Sequence, residues 1–219
     1  MRALFVMLVL SSLSGCLREN GGRPDSPVIT EGKPKEGSKP VAATDPVLAK
    51  KMADYAKVIE ALKPIAKPVA CAKLETLLPK APANYKAGTP HSEMIDTEPS
   101  VSGEESYPIR YNFVEGKYKN GDKTLTVQIL DTGHNHSFYK WIPEAAELKG
   151  GTDEEYEKGL LIDGDFAMES YRKSSGRCEL TVMIAGRFQI EIKADGVSPE
   201  FAHTILKSID RKALAGLKK

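Results

Sequence analysis

Apolar and polar positions along this chain follow two periods, and the switches between them lay out the fold. Leu48, Met52, Tyr55, Ile59 and Leu62 recur at steps of four and three, which places them on one helix face. Asp45-Pro46 precedes them with a capping oxygen and a proline suited to the first helical position. Pro64 ends the run, since proline lacks the donor an interior turn needs. A second helix is predicted from Val69 to Leu78, with Cys71, Leu74 and Leu78 on one face and Pro79 after it. Residues 81–105 are polar and proline-punctuated, with no sustained period.

Period two then takes over. Tyr107, Ile109, Tyr111 and Phe113 alternate with Pro108, Arg110 and Asn112, as a strand with one buried face does. Asn120-Gly121 predicts a hairpin turn, because both residues tolerate positive φ. Leu125, Val127 and Ile129 alternate after it, and residues 131–149 read as a loop and helix with Phe138, Trp141, Ile142 and Ala145 inward. Short strands over 159–162 and 166–172 are joined through Asp163-Gly164. Cys178, Leu180, Val182 and Ile184 mark the next strand. Gly186-Arg187 turns the chain into another carrying Phe188, Ile190 and Ile192. Ser198-Pro199 opens a last helix that buries Phe201, Ile205, Leu206 and Ile209. The order is two helices, two strands, a helix, four strands and a helix. Tight hairpins imply antiparallel pairing, so the expected fold is α+β: a mainly antiparallel sheet with helices packed on one face.

The N-terminus reads as an address. Met1-Arg2 is followed by eleven mostly apolar residues, Ala3 to Leu13, too few to span a bilayer and typical of a signal-peptide core. Leu13-Ser14-Gly15-Cys16 comes next. This motif resembles the lipobox of bacterial lipoproteins, whose cysteine is acylated and becomes the first residue after cleavage. The resemblance implies a lipid bilayer as partner through acylated Cys16. With Leu17 in place of Asp, the same resemblance implies, in a Gram-negative cell, the outer membrane, facing the periplasm. Residues 17–45 hold four Gly, four Pro and no aromatic residue, a composition that cannot offset its ordering entropy by burial. The expected organisation is a signal peptide over 1–15, a lipidated cysteine and disordered tether over 16–45, and one α+β domain over 46–219. The sheet-and-helix ending also looks like small modules of unknown function in envelope lipoproteins, a likeness that transfers no site residue.

Composition narrows the function by exclusion. Apolar residues make up 41% and charged residues 28%, which excludes a polytopic membrane protein and a wholly disordered chain. The 31 basic residues oppose 30 acidic ones, and loss of Arg2 with the signal peptide leaves 30 against 30. So balanced a chain has no general electrostatic reason to bind nucleic acid. No nucleophile elbow, phosphate-cradling glycine loop or dinucleotide fingerprint occurs. The residues therefore point to a non-catalytic envelope lipoprotein that needs no cofactor and binds an envelope protein or ligand.

The alternative is a periplasmic metal-binding or hydrolytic protein using Asp131, His134 and His136, residue types that suit zinc or copper. Against it, Asp131 or Asn135 equally well caps the helix after the strand. Tyr107, Tyr111, Tyr118, Tyr139, Trp141 and Tyr171 offer either core filling or an aromatic platform, with core filling the commoner use. His91 and His203 stand alone and read as surface residues. Once Cys16 is acylated, Cys71 and Cys178 are the two thiols left in an oxidising compartment, so a disulfide between them is expected. It would close a loop of about 107 residues, worth roughly 4.7 kcal/mol of chain entropy.

Changing Cys16→Ser is expected to leave the chain unprocessed or soluble. Fractionation of the variant with membranes after normal cleavage would overturn the lipid anchor.

Overall fold

A computed structural model of the chain describes residues 46–61, 63, 67–97, 109–142, 145, 148 and 151–218. The lipobox, the tether over 16–45, the strand start at 106–108 and the side chain of His136 lie outside the described residues. Two helices come first, α1 (Pro46–Glu60) and α2 (Cys71–Glu75). Four strands follow: β1 (Lys86–Ala87), β2 (His91–Thr97), β3 (Ile109–Asn120) and β4 (Lys123–Asp131). A 3₁₀ turn at His136–Tyr139 leads to β5 (Glu155–Ile162), β6 (Asp165–Arg172), β7 (Arg177–Ile184) and β8 (Phe188–Asp195). The chain closes with α3 (Pro199–Ser208) and α4 (Arg211–Gly216).

All eight strands belong to one sheet in the order β1-β3-β4-β8-β7-β6-β5, with β2 paired to β3 beyond β1. Every pairing is antiparallel. The expected sheet of α+β type is thus present. The turns differ from the reading of the sequence in detail. Asn120 pairs with Lys123, so the first hairpin turns on Gly121-Asp122. Ile184 pairs with Phe188, so the last hairpin starts one residue early, on Ala185 at φ 51°. A non-glycine residue there is strained, and the shift delivers Arg187 to the interior, where it is 3% exposed.

Alternation decides the two faces of the sheet. One carries Val114, Val127, Ile129, Leu180, Val182, Ile190 and Ile192, none of them exposed. Leu74 of α2, Ala202, Ile205 and Leu206 of α3, and Leu214 of α4 pack on it. Each such Leu or Ile contributes roughly 1.5–3 kcal/mol by leaving water. Helical segments also lie on the opposite face, which corrects the expectation of helices on one face alone. There Phe166 of β6 and Met183 of β7 join Tyr139, Ile142 and Ala145 in a second cluster. Leu48 and Tyr55 of α1 pack against that cluster, with the Tyr55 and Phe166 rings 4.4 Å apart. The cause lies in β6 and β7, whose outward-facing Phe166 and Met183 are as apolar as core positions and need a cover.

Cys71 and Cys178 are both free thiols. Cys71 on α2 lies over β2 and β3, its Sγ 3.7 Å from the Glu93 carbonyl and 3.9 Å from that of Phe113. Cys178 lies fully buried on β7. Between β3 and β7 run β4 and β8, three strand steps or about 14 Å along the sheet, whereas a bridge needs Cα atoms within about 7 Å. Alkylation of the non-reduced, denatured protein is expected to label two thiols, and Cys178 only after unfolding. A protected pair would restore the disulfide expected from the sequence.

Candidate functional site

The end of β4 carries the first concentration of buried polar groups. Asp131 is 0% and Arg187 3% exposed, and they face each other in a bidentate pair. Nε of Arg187 donates to Oδ1 at 2.9 Å and Nη2 to Oδ2 at 2.7 Å. The backbone N–H of Val69 donates to Oδ2 at 2.6 Å, and that of Gly133 to Oδ1 at 3.1 Å. The remaining Arg187 nitrogen, Nη1, donates to the Lys218 carbonyl at 3.2 Å. Thr132 extends the set by donating through Oγ1 to the Arg187 carbonyl at 2.7 Å. Tyr139 donates to the Gly186 carbonyl at 3.1 Å, and burial pushes its hydroxyl up to about 12.

In this arrangement the fold itself engages the Asp131 carboxylate. Both oxygens of Asp131 are taken by four N–H donors. Asp131 caps no helix either; Asn135 does, accepting the Ser137 N–H at 3.0 Å at the start of the 3₁₀ turn. His134 sits at φ 60° and is 9% exposed, with Nε2 unpartnered. Burial and the Arg187 charge lower its imidazole pKa. Among the described residues no three His, Cys, Asp or Glu side chains gather in a way that could hold a metal ion.

A second concentration escaped the sequence reading. Glu169 of β6 is 1% exposed on the face that packs against α3. Its Oε1 accepts from the Tyr156 hydroxyl at 2.7 Å and from Lys158 Nζ at 2.8 Å, and its Oε2 meets His203 Nε2 of α3. Burial pushes the carboxyl pKa up, but hydrogen bonds from Lys158, Tyr156 and His203 outweigh it and hold the group below its ordinary value. His203 is therefore not the lone surface residue expected. The available signal was Glu169 itself, a carboxylate between Ala167 and Tyr171 where alternation calls for an apolar side chain. Cys178 lies near this carboxylate, and burial raises its thiol to about 12, which makes it inert as a nucleophile. Of the aromatic residues, Tyr118 and Tyr139 fill the core at 4% exposure. Tyr111, Trp141 and Tyr171 are half-buried.

A concavity lies at the sheet end where the β5–β6 and β7–β8 hairpins turn. One lobe, of about 630 Å³, is floored by Ile184, Ala185, Ile209 and Ala215 and rimmed by Asp163, Lys207 and Arg211. A second lobe of about 370 Å³ reaches Tyr55 and Val58 of α1 and shares Asp165 and Ala185 with the first. Asp163 is held by Arg211 Nη2 at 2.5 Å, and Asp165 lies 3.6 Å from Nη1.

Two predictions follow from the buried charges. Changing Asp131→Ala leaves Arg187 buried and unpaired, at a cost of about 3–5 kcal/mol by denaturant unfolding, while a chelator leaves the wild-type midpoint unmoved. Glu169 has a depressed folded-state pKa, so its stabilisation is present above its unfolded value and lost as pH falls through the folded one. Glu169→Gln should cost about 1–3 kcal/mol at pH 7 and flatten the acid limb of the stability profile below about pH 4.5. An unchanged acid limb would remove Glu169 as its source. No family model matches the chain, and no curated protein or solved structure shows significant similarity to it.

Proposed function

We propose that this protein is a non-catalytic binding module, tethered to the cell envelope through acylated Cys16. Its location is the periplasmic side of the outer membrane. The two-lobed groove at the hairpin tips is the ligand site, and that groove is the observation carrying the reading. It combines an apolar floor, a charged rim and a volume in the range of small-molecule sites. It is also built on strand ends and helix termini rather than on long loops, so it is preorganised. The competing metal or hydrolytic reading through Asp131, His134 and His136 is weaker, because the Asp131 carboxylate already serves Arg187 and two backbone donors.

Photo-crosslinking in intact cells tests the proposal, with the probe amino acid placed at Lys212 on the groove rim or at Thr126 on the opposite sheet face. Adducts are expected from Lys212 and not from Thr126. Equal adducts at both positions, or adducts from Thr126 alone, would place the binding surface elsewhere.

A further inference from the structure

The two edges of the sheet are finished differently. On β5, Glu155 exchanges two backbone hydrogen bonds with Thr152, at 2.7 and 3.2 Å, so the chain covers its own outward groups there. Glu157 adds an exposed charge, and Leu161 packs into the cluster that α1 covers. Charge and a covering segment are the usual ways of blunting an edge. At the other end of the sheet β1 offers two residues and β2 seven. Among the described residues β2 pairs with β3 alone. It holds no lysine, and every residue of it except Ile95 is exposed.

The direction of its free backbone groups follows from one bond. The Gly88 N–H donates to the Lys117 carbonyl at 2.8 Å, which aims the main chain of Lys117 at β1 and β2. That direction alternates along a strand. Glu115, Phe113 and Tyr111 therefore aim the same way and bond to His91, Glu93 and Ile95. The intervening Ser92, Met94 and Asp96 turn their N–H and C=O groups away from β3. Met94, at the midpoint of this open edge, is also 69% exposed. Opposite Asn112 and one step from the Ser92–Val114 pair, it stands on the core side of the sheet, beyond the reach of its cover.

The strand is complementary to itself. Set antiparallel to a second β2 with Met94 opposite Met94, all seven residues pair, whereas every other register that joins the outward groups leaves residues over. Ser92 then faces Asp96 of the second copy, a hydroxyl against a carboxylate, and Glu93 faces Ile95, so no like charges stand opposite one another. Ser92, Met94 and Asp96 exchange about six backbone hydrogen bonds across the junction, two for each facing pair. The two Met94 side chains cover each other. We infer that β2 is a homodimer interface, joining two copies into one continuous antiparallel sheet about a two-fold axis at Met94.

Disulfide trapping of the full-length chain in cell envelopes tests the interface and its register. Cys71→Ser is present throughout, and Cys178 is silent because it is buried. Facing Cα atoms at Met94 lie about 5.5 Å apart, within the span of roughly 4.4–6.8 Å that a disulfide bridges. Two Ser92 positions lie about 14 Å apart along the strands. Met94→Cys is expected to form a covalent dimer under mild oxidation. Ser92→Cys alone should form none, and Ser92→Cys mixed with Asp96→Cys should form heterodimers. Adding Ser92→Pro to Met94→Cys removes an outward N–H that β3 does not use, and two bonds per dimer; trapping should fall roughly tenfold. Ser92→Lys, which leaves the backbone intact, should lower it as well. Both blocked variants should keep the parent thermal midpoint. Failure of Met94→Cys to dimerise, or adducts with other proteins alone, overturns the second copy as occupant. Equal trapping from Ser92→Cys alone overturns the register, and trapping unmoved by Ser92→Pro and Ser92→Lys overturns the edge as the interface.

Discussion

The carboxylate of Asp131 is where four parts of the chain meet. It ends β4, receives Arg187 from the β7–β8 turn, and takes backbone donors from the approach to α2 and from the loop after β4. Arg187 in turn reaches the Lys218 carbonyl near the C-terminus. A buried ion pair does not stabilise by attraction alone, because both charges were desolvated to form it. Its value here is geometric. With both Asp131 oxygens and all three Arg187 nitrogens occupied, the turn, the loop and the chain end each have one arrangement that leaves no charge unpaired. The strained Ala185 at φ 51° is the local cost of bringing Arg187 inward.

Glu169 does similar work on β6, three strands across the sheet from β4. It joins β5, through Tyr156 and Lys158, to α3 through His203. Between these two anchors the apolar face is continuous, and α2, α3 and α4 cover it. The opposite face is divided. Phe166 and Met183 recruit α1 and the segment around Ile142, while β3, β4 and β8 carry Glu115, Lys117, Thr126, Gln128, Glu191 and Lys193. The charges there are satisfied within their own strands, Glu115 with Lys117 at 2.9 Å and Glu191 with Lys193 at 3.0 Å. That surface is electrostatically closed.

Much of the fold was legible in the sequence wherever one face of an element is buried. The alternations in β4, β7 and β8 and the helical spacing in α1 and α3 each sort polar from apolar residues, and burial alone produces that sorting. Where no such sorting exists, the sequence is silent. In β2 only Ile95 is even half-buried, so no alternation marks it, and its strand state comes from pairing with β3. At six residues, α4 is too short to display a period. The second helical layer was hidden because Phe166 and Met183 occupy outward positions of strands whose inward positions are apolar too.

By itself, the sequence determined the period of each long element, the antiparallel character of the sheet and the N-terminal motif with its break in composition. All of these are properties of residues near one another in the chain. Only the tertiary structure decided what the polar residues do. Asp131 and Arg187 stand 56 positions apart, and Glu169 and His203 34 apart. No local pattern distinguishes a carboxylate that will be buried against a cation from one that stays in water.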